Sequence, residues 1–151
     1  MVSVYSIRYK DSNLEFLMIK RTTLSYNWQC VTGSLEKGEN MLECAKRELF
    51  EETGYIPAII IQFNFPQEYY TENKEEEGDE YPPHLQKLAK DLEIHYFIAR
   101  IDQPQDPVLN PAEHTDWKWC SFETAYKIIK WAMEKKELKY VYNYLSTNPL
   151  K

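Results

Sequence analysis

No extended run of lysine or arginine occurs in the 151 residues, and the formal net charge is −6. Such a chain cannot hold a nucleic acid by bulk electrostatics, because nothing neutralises successive phosphates. An anionic ligand must instead be met locally. Cysteine is scarce as well: Cys30, Cys44 and Cys120 are three in number and contain no CxxC pair. That excludes a disulfide framework and a zinc knuckle, so reduced thiols packed in the core are expected. No stretch approaches 18 apolar residues, and the N-terminus has no charged region leading into an apolar segment of signal length. The expectation is a soluble, cytoplasmic protein with no membrane partner. Internal repeats and shifts of composition are also missing, which suggests a single domain over residues 1–151.

What is present is enough for a core: 43% of residues are hydrophobic and 15% aromatic. A chain of this length buries roughly two-thirds of its unfolded surface. Residues 2–9 alternate and are rich in strand formers, 11–13 read as a turn and 14–20 as a second strand, together a hairpin. Residues 28–32 form a short strand entering Gly33, whose missing side chain allows a sharp turn or a close approach. Further strands are expected over 58–65, 93–101 and 117–120. Ser121 should cap a helix running to about Met133, with a final helix over about 137–144. Residues 103–111 are proline-rich and irregular. The acidic stretch 72–92 reads as a solvated loop that could lid a pocket, with a short helical turn at 87–92.

The most informative segment is a helix expected over residues 41–53. Asn40 is its N-cap, Glu43 completes a capping-box-like pattern, and Gly54 stands where a C-terminal glycine belongs. Leu42, Ala45 and Leu49 form its apolar stripe. Glu48, Glu51 and Glu52 occupy positions i, i+3 and i+4, within an arc of about 100°. Like charges so close repel unless a cation sits between them, and a hard, oxygen-seeking ion, Mg²⁺ or Mn²⁺, suits such a cluster. Arg47 can reach Glu43 and Glu51 and is expected to orient a ligand carboxylate. Glu39 precedes the helix and is expected to cap it or support the loop.

Gly33, Glu39, Arg47, Glu48, Leu49, Glu51, Glu52 and Gly54 fill, in order and at the right spacing, the pattern GX5EX7REUXEEXGU, so the segment resembles the Nudix box. Tyr55 stands where the pattern has an aliphatic residue. The resemblance implies an α/β fold, an α/β/α sandwich around a mixed β-sheet, and hydrolysis of phosphoanhydride bonds. It also implies that Glu48, Glu51 and Glu52, with the backbone carbonyl of Gly33, hold the metal. Glu48 or Glu52 would take the proton from the attacking water. The run from Trp28 to Glu39 is similar to one in bacterial dihydroneopterin triphosphate pyrophosphohydrolases. The segment Glu113-His114-Thr115-Asp116-Trp117-Lys118-Trp119 resembles one shared with dinucleoside tetraphosphate hydrolases and nominates Glu113 as a distant carboxylate; His114 is expected to be a hydrogen-bonded structural residue.

These resemblances imply a small-molecule substrate, a nucleoside or pterin phosphate cleaved to a monophosphate and pyrophosphate. Dihydroneopterin triphosphate is the leading expectation. House-cleaning of nucleotides and dinucleoside tetraphosphate hydrolysis are the alternatives, with a non-catalytic nucleotide sensor as the reading from another class. A flat base or pterin wants aromatic surfaces, for which Trp28, Tyr69, Tyr70, Tyr96 and Trp117 are candidates. Lys20, Arg21 and Lys37 could meet terminal phosphates. A homodimer is compatible with all of this.

Overall fold

The computed structural model describes residues 1–22, 27–65 and 93–151. Strands β1 (Val2–Lys10) and β2 (Asn13–Arg21) make the expected antiparallel hairpin, turned by Asp11 and Ser12 in left-handed backbone conformation, φ 51° and 67°. Asp is among the residues that enter this region at modest cost because its short polar side chain bonds locally. β6 (His95–Arg100) lies parallel to β1, and β5 (Ile59–Phe63) pairs antiparallel to β6. β7 (His114–Cys120) pairs antiparallel to β2. The sheet is therefore mixed, with a core path β3 (Trp28–Gln29), β2, β1, β6, β5 and with β4 (Val31–Gly33) and β7 pairing off it.

The stretch expected as one strand over 28–32 is two. β3 (Trp28–Gln29) pairs with β2, while β4 (Val31–Gly33) crosses to β1, and buried Cys30 is the joint. Changing partners at Cys30 delivers Gly33 opposite Val2. β7 starts at His114, three residues earlier than expected.

Alternation along the strands gives the sheet two apolar faces. Val2, Val4, Leu17, Ile19, Phe97 and Ala99 face helix α1 (Met41–Thr53), whose Cys44, Ala45 and Leu49 complete that core. Tyr5, Ile7, Phe16, Met18 and Ile98 face the other layer, made by helices α2 (Phe122–Ile128) and α3 (Ala132–Thr147). This is an α/β/α sandwich, as expected. All three cysteines are free and buried. Among the described residues no helix is long and apolar enough to cross a membrane.

Two helix expectations need correction. Leu42 is not in the buried stripe of α1 but 41% exposed; the helix instead buries Cys44, Ala45, Leu49, Glu52 and Thr53. The C-terminal helices also divide elsewhere: α2 stops at Ile128 and α3 covers Ala132–Thr147. Ile129 is extended, φ −69° and ψ 129°, and bridges Trp28. Ile129 and Trp131 are both buried. Residues i and i+2 stand about 200° apart on a helix but on one side of an extended segment, so the break allows both side chains to be buried.

α3 buries acids the sequence did not flag. Glu137 accepts hydrogen bonds from the Tyr5 hydroxyl at 2.7 Å and the Tyr96 hydroxyl at 2.8 Å. Glu134 keeps part of its stem at the surface, but its Oε2 is shut from solvent and unpartnered. Burial pushes the Glu137 carboxyl up to about 7 despite its tyrosine bonds; burial and then the Glu137 charge push Glu134 up to about 8. An unfolded glutamate titrates near ~4.3, so across the window up to those values the folded protein holds more protons than the unfolded one. The contribution of these two groups to stability therefore falls as pH rises, from about 4.3 to about 7 for Glu137 and to about 8 for Glu134, by at most ~1.4 kcal/mol per pH unit for each. Thermal melts from pH 5 to 8.5 should show a declining Tm in wild type and a shallower decline in Glu134→Gln, which melts higher than wild type at pH 8. Parallel profiles would show that Glu134 is not titrating in the fold.

Candidate active site

α1 is set by its ends. The Asn40 side chain accepts from the Glu43 N–H at 2.8 Å and donates to the Glu43 carboxylate at 2.7 Å, closing the N-terminus. At the C-terminus Gly54 adopts φ 76° and donates its N–H to the Phe50 carbonyl. The residue after it, Tyr55, is 1% exposed and donates its hydroxyl to the Gln105 carbonyl at 2.7 Å, so an aromatic ring fills the aliphatic position of the pattern. These anchors fix the rotation of the helix and so the directions of Arg47, Glu48, Glu51 and Glu52.

Every N–H of the Arg47 guanidinium has an acceptor. Nε and Nη2 grip Glu39 at 2.7 and 3.0 Å, Nη2 also donates to the Ser34 carbonyl at 2.8 Å, and Nη1 donates to Glu48 and Glu51 at 3.0 Å each. A planar fork with five donors suits this role, tying the loop after β4 to the middle of the helix. The expected contact to Glu43 is absent because Asn40 occupies that carboxylate. Glu39 supports the loop, as expected: it accepts from the Glu36 N–H at 3.1 Å, and the Arg47 bonds draw its carboxyl down to about 2.

Gly33 is needed for space. A Cβ there would lie 2.0 Å from Cδ of Glu48. The Glu48 carboxylate is thus laid directly on the Gly33 backbone and held there by Arg47.

The three box carboxylates do not converge as their shared arc suggested. Glu51 is exposed and turned to Arg47, whereas Glu52 points inward and is 4% exposed. Glu52 instead meets the start of β7 and the turn before it: ligand atoms of Glu52, Glu113 and His114 all lie within 4.8 Å of one another. A turn at Asn110, whose carbonyl accepts from the N–H groups of Glu113 and His114 at 3.0 Å, precedes β7. Thr22 then pins the Glu113 carbonyl with its N–H at 2.9 Å. Between Lys20 and Arg21 the β2–β7 register slips, Lys20 facing Asp116 but Arg21 facing His114. An extra residue in one strand re-aims its neighbours, and here the bulge brings Glu113 and His114 to the helix.

His114 is 3% exposed, and neither ring nitrogen has a hydrogen-bond partner, contrary to the structural role expected of it. Its Nε2 is 3.8 Å from Glu52 Oε1, beyond hydrogen-bond reach. Burial, then the Arg21 charge, lower its pKa to about 4, so the ring is neutral at pH 7. Glu52 Oε2 is likewise buried and unpartnered. Burial, then the charges of Glu48 and Glu113, push the Glu52 carboxyl up to about 9, with Arg21 and the Thr32 backbone opposing. Burial also raises Glu48, helped by Glu51 and Glu113 and opposed by Arg47. Crowded oxygen ligands with orphaned lone pairs fit a divalent cation, which would relieve both the desolvation and the repulsion. The cluster can hold a metal.

The proposed ligand-contacting residues are scattered. Arg21 stands at the bulge and its field reaches Glu52, His114 and Glu134. Trp28 is half-buried, with Lys118 and Lys20 nitrogens 5.4 and 5.9 Å from its ring. Trp117 packs into the α1-side core, and Lys37 is exposed in the turn before Gly38. Tyr96 needs correction as a stacking surface: it is 6% exposed, its ring packs on Phe63 and Phe65, and its hydroxyl is committed to Glu137. Aromatic character alone could not separate a core strand from a pocket wall. Tyr69, Tyr70, the acidic stretch 72–92 and the helical turn at 87–92 lie outside the described residues.

A mixed sheet between helical layers, with an acidic helix end against one face, defines a class, and sequence comparison gives the same one. The chain belongs to the NUDIX domain family, whose profile matches residues 1–142. It is a Nudix hydrolase, of the kind that acts on phosphoanhydride bonds. The asymmetrical bis(5'-nucleosyl)-tetraphosphatase of Caenorhabditis elegans is 27% identical over 120 residues, 79% of this chain and 76% of that one. The dihydroneopterin triphosphate diphosphatase of Haemophilus influenzae is 29% identical over 147 residues, 95% of this chain and 86% of its own length. The crystal structure of a C. elegans Ap4A hydrolase binary complex superposes with TM-score 0.71 at 23% identity, covering 97% of this chain and 98% of that one, which supports the shared fold.

Gly33→Ala should displace Glu48 without unfolding the protein, since the clash is with one side-chain end. A Tm within a few degrees of wild type and at least a tenfold loss of divalent-metal affinity by calorimetry are expected; unchanged affinity would show that the seat of Glu48 on Gly33 is irrelevant to the site.

Proposed function

We propose that the chain is a Mg²⁺- or Mn²⁺-dependent pyrophosphohydrolase that cleaves a nucleoside-triphosphate-like small molecule to a monophosphate and pyrophosphate, acting as a single domain. The observation that carries this reading is Glu52: a buried carboxylate with an orphaned oxygen, flanked by Glu48 and Glu113, at the end of the box helix. Glu48, Glu52 and Glu113 would hold the metal, with the Gly33 carbonyl beside Glu48 and Glu51 at the outer edge. The bound ion supplies charge neutralisation on the phosphates and lowers the pKa of a nucleophilic water. In the reaction the water oxygen attacks phosphorus, the P–O anhydride bond breaks and pyrophosphate leaves with the electron pair. The water proton passes to a carboxylate oxygen. Glu48 suits that step better than Glu52, because it is less deeply buried and Arg47 holds it in one orientation. Arg47 is a positioning residue, and Arg21, with Lys37 at the rim, would meet the terminal phosphates.

Dihydroneopterin triphosphate leads as substrate, because the run from Trp28 to Glu39 resembles that group and the likeness to its Haemophilus member spans nearly the whole chain. A dinucleoside tetraphosphate is the second reading, favoured by the likeness to the C. elegans enzyme. A catalytically silent sensor is disfavoured by the complete set of box carboxylates, which a pure binder would not need.

Products separate these readings: identification by mass should give pyrophosphate and a pterin monophosphate from the first substrate, whereas turnover confined to a dinucleoside tetraphosphate would establish the second. A 5'-triphosphorylated oligoribonucleotide and ADP-ribose belong in the same panel. Glu52→Gln should lower turnover by about 10²-fold or more at unchanged Tm. Binding without turnover in wild type across the panel would overturn the enzymatic reading in favour of the sensor.

A further inference from the structure

The cluster behind the box helix includes a nitrogen. His114 is buried with neither ring nitrogen hydrogen-bonded, and Glu52 beside it is buried with Oε2 unpartnered. Two orphaned, buried, lone-pair-bearing side chains pointing into one space are costly to keep empty. Their separation is informative. His114 Nε2 and Glu52 Oε1 are 3.8 Å apart, too far to bond one another. Donors at about 2.0–2.2 Å from a common ion lie roughly 3 to 4.2 Å apart, so the observed gap is that of two ligands flanking a cation. Glu113 brings a third ligand atom within 4.8 Å of the others and is exposed, which leaves a way in. Arg47 cannot compensate this group, because its five N–H donors go to Glu39, Glu48, Glu51 and the Ser34 carbonyl.

We infer that Glu52, Glu113 and the His114 imidazole form a mixed nitrogen–oxygen position that takes a later first-row divalent ion, of the Co²⁺ kind, in preference to Mg²⁺. The inference rests on the divalent-metal reading above and deepens it. Mg²⁺ favours oxygen ligands alone and keeps its waters, whereas an imidazole ligand suits later first-row ions. Glu48, seated on Gly33 and bonded to Arg47, stays outside this trio and offers oxygen only, so the two sides of the site differ in the metal they select. His114 gains its direction from the bulge in β7, not from the box helix.

The test uses the full-length, untagged protein. Wild type is titrated with Mn²⁺ alone and with Co²⁺ and Mg²⁺ separately by calorimetry, and the Mn²⁺ form is read by pulsed EPR for ¹⁴N coupling. Imidazole ¹⁴N coupling in wild type and its loss in His114→Gln are expected, together with at least a tenfold fall in the ratio of Co²⁺ to Mg²⁺ affinity. Should His114→Gln fail to fold, persistence of the coupling in the His84→Gln, His95→Gln double variant assigns it to His114. Saturable metal binding without nitrogen coupling, or an unchanged Co²⁺ to Mg²⁺ ratio in a folded His114→Gln, overturns the inference and leaves the carboxylate metal site standing. No saturable binding of any of the three ions overturns both.

Discussion

Everything in the site follows from how one guanidinium is spent. Arg47 gives all five of its N–H donors to Glu39, Glu48, Glu51 and a loop carbonyl, and none to Glu52. The arginine makes a dense group of carboxylates foldable by fixing the ones near the surface. It leaves the innermost one without a hydrogen-bonded cation. Glu52 is then buried beside Glu48 and Glu113 with an unpartnered oxygen, a state that favours protonation in the bare protein and ionisation around a divalent metal. The same interaction sets the shape of the loop before the helix, because Glu39 and Ser34 are both on it.

The rest of the fold positions that imbalance. Cys30 lets the chain leave β2 and join β1, bringing Gly33 under Glu48, where only a residue without a side chain leaves room. On the far side, the turn at Asn110 and the slip in the β2–β7 register carry Glu113 and His114 up to Glu52. The helix and the β7 end of the chain thus each contribute to one cluster, and neither is complete alone.

Much of this was legible in the sequence, for identifiable reasons. The helix bounds at Met41 and Thr53 followed from Asn40 and Gly54, two residues whose backbone preferences act locally, and the eight-position box named the family. The hairpin was legible from alternation and its polar turn. What was not legible depends on long-range packing. An arc of about 100° contains Glu48, Glu51 and Glu52, but which edge of it turns inward is decided by the sheet, and that edge is Glu52. Leu42 looked like core because it is apolar, yet the stripe lies around Ala45 and Leu49. Tyr96 looked like a ligand surface and serves instead to bond Glu137, a partner 41 residues away. The break after Ile128 and the bulge that recruits His114 leave no composition signal, since both arise from pairing with distant strands.

A cation, not a proton, is what the buried Glu52 carboxylate is built to receive. Anomalous diffraction from crystals grown with Mn²⁺ tests it most directly. An anomalous peak is expected within about 2.5 Å of a Glu52 carboxylate oxygen, with Glu48 or Glu113 also in contact. A well-ordered Glu52 with no ion beside it, and manganese found only at exposed acids, would contradict it.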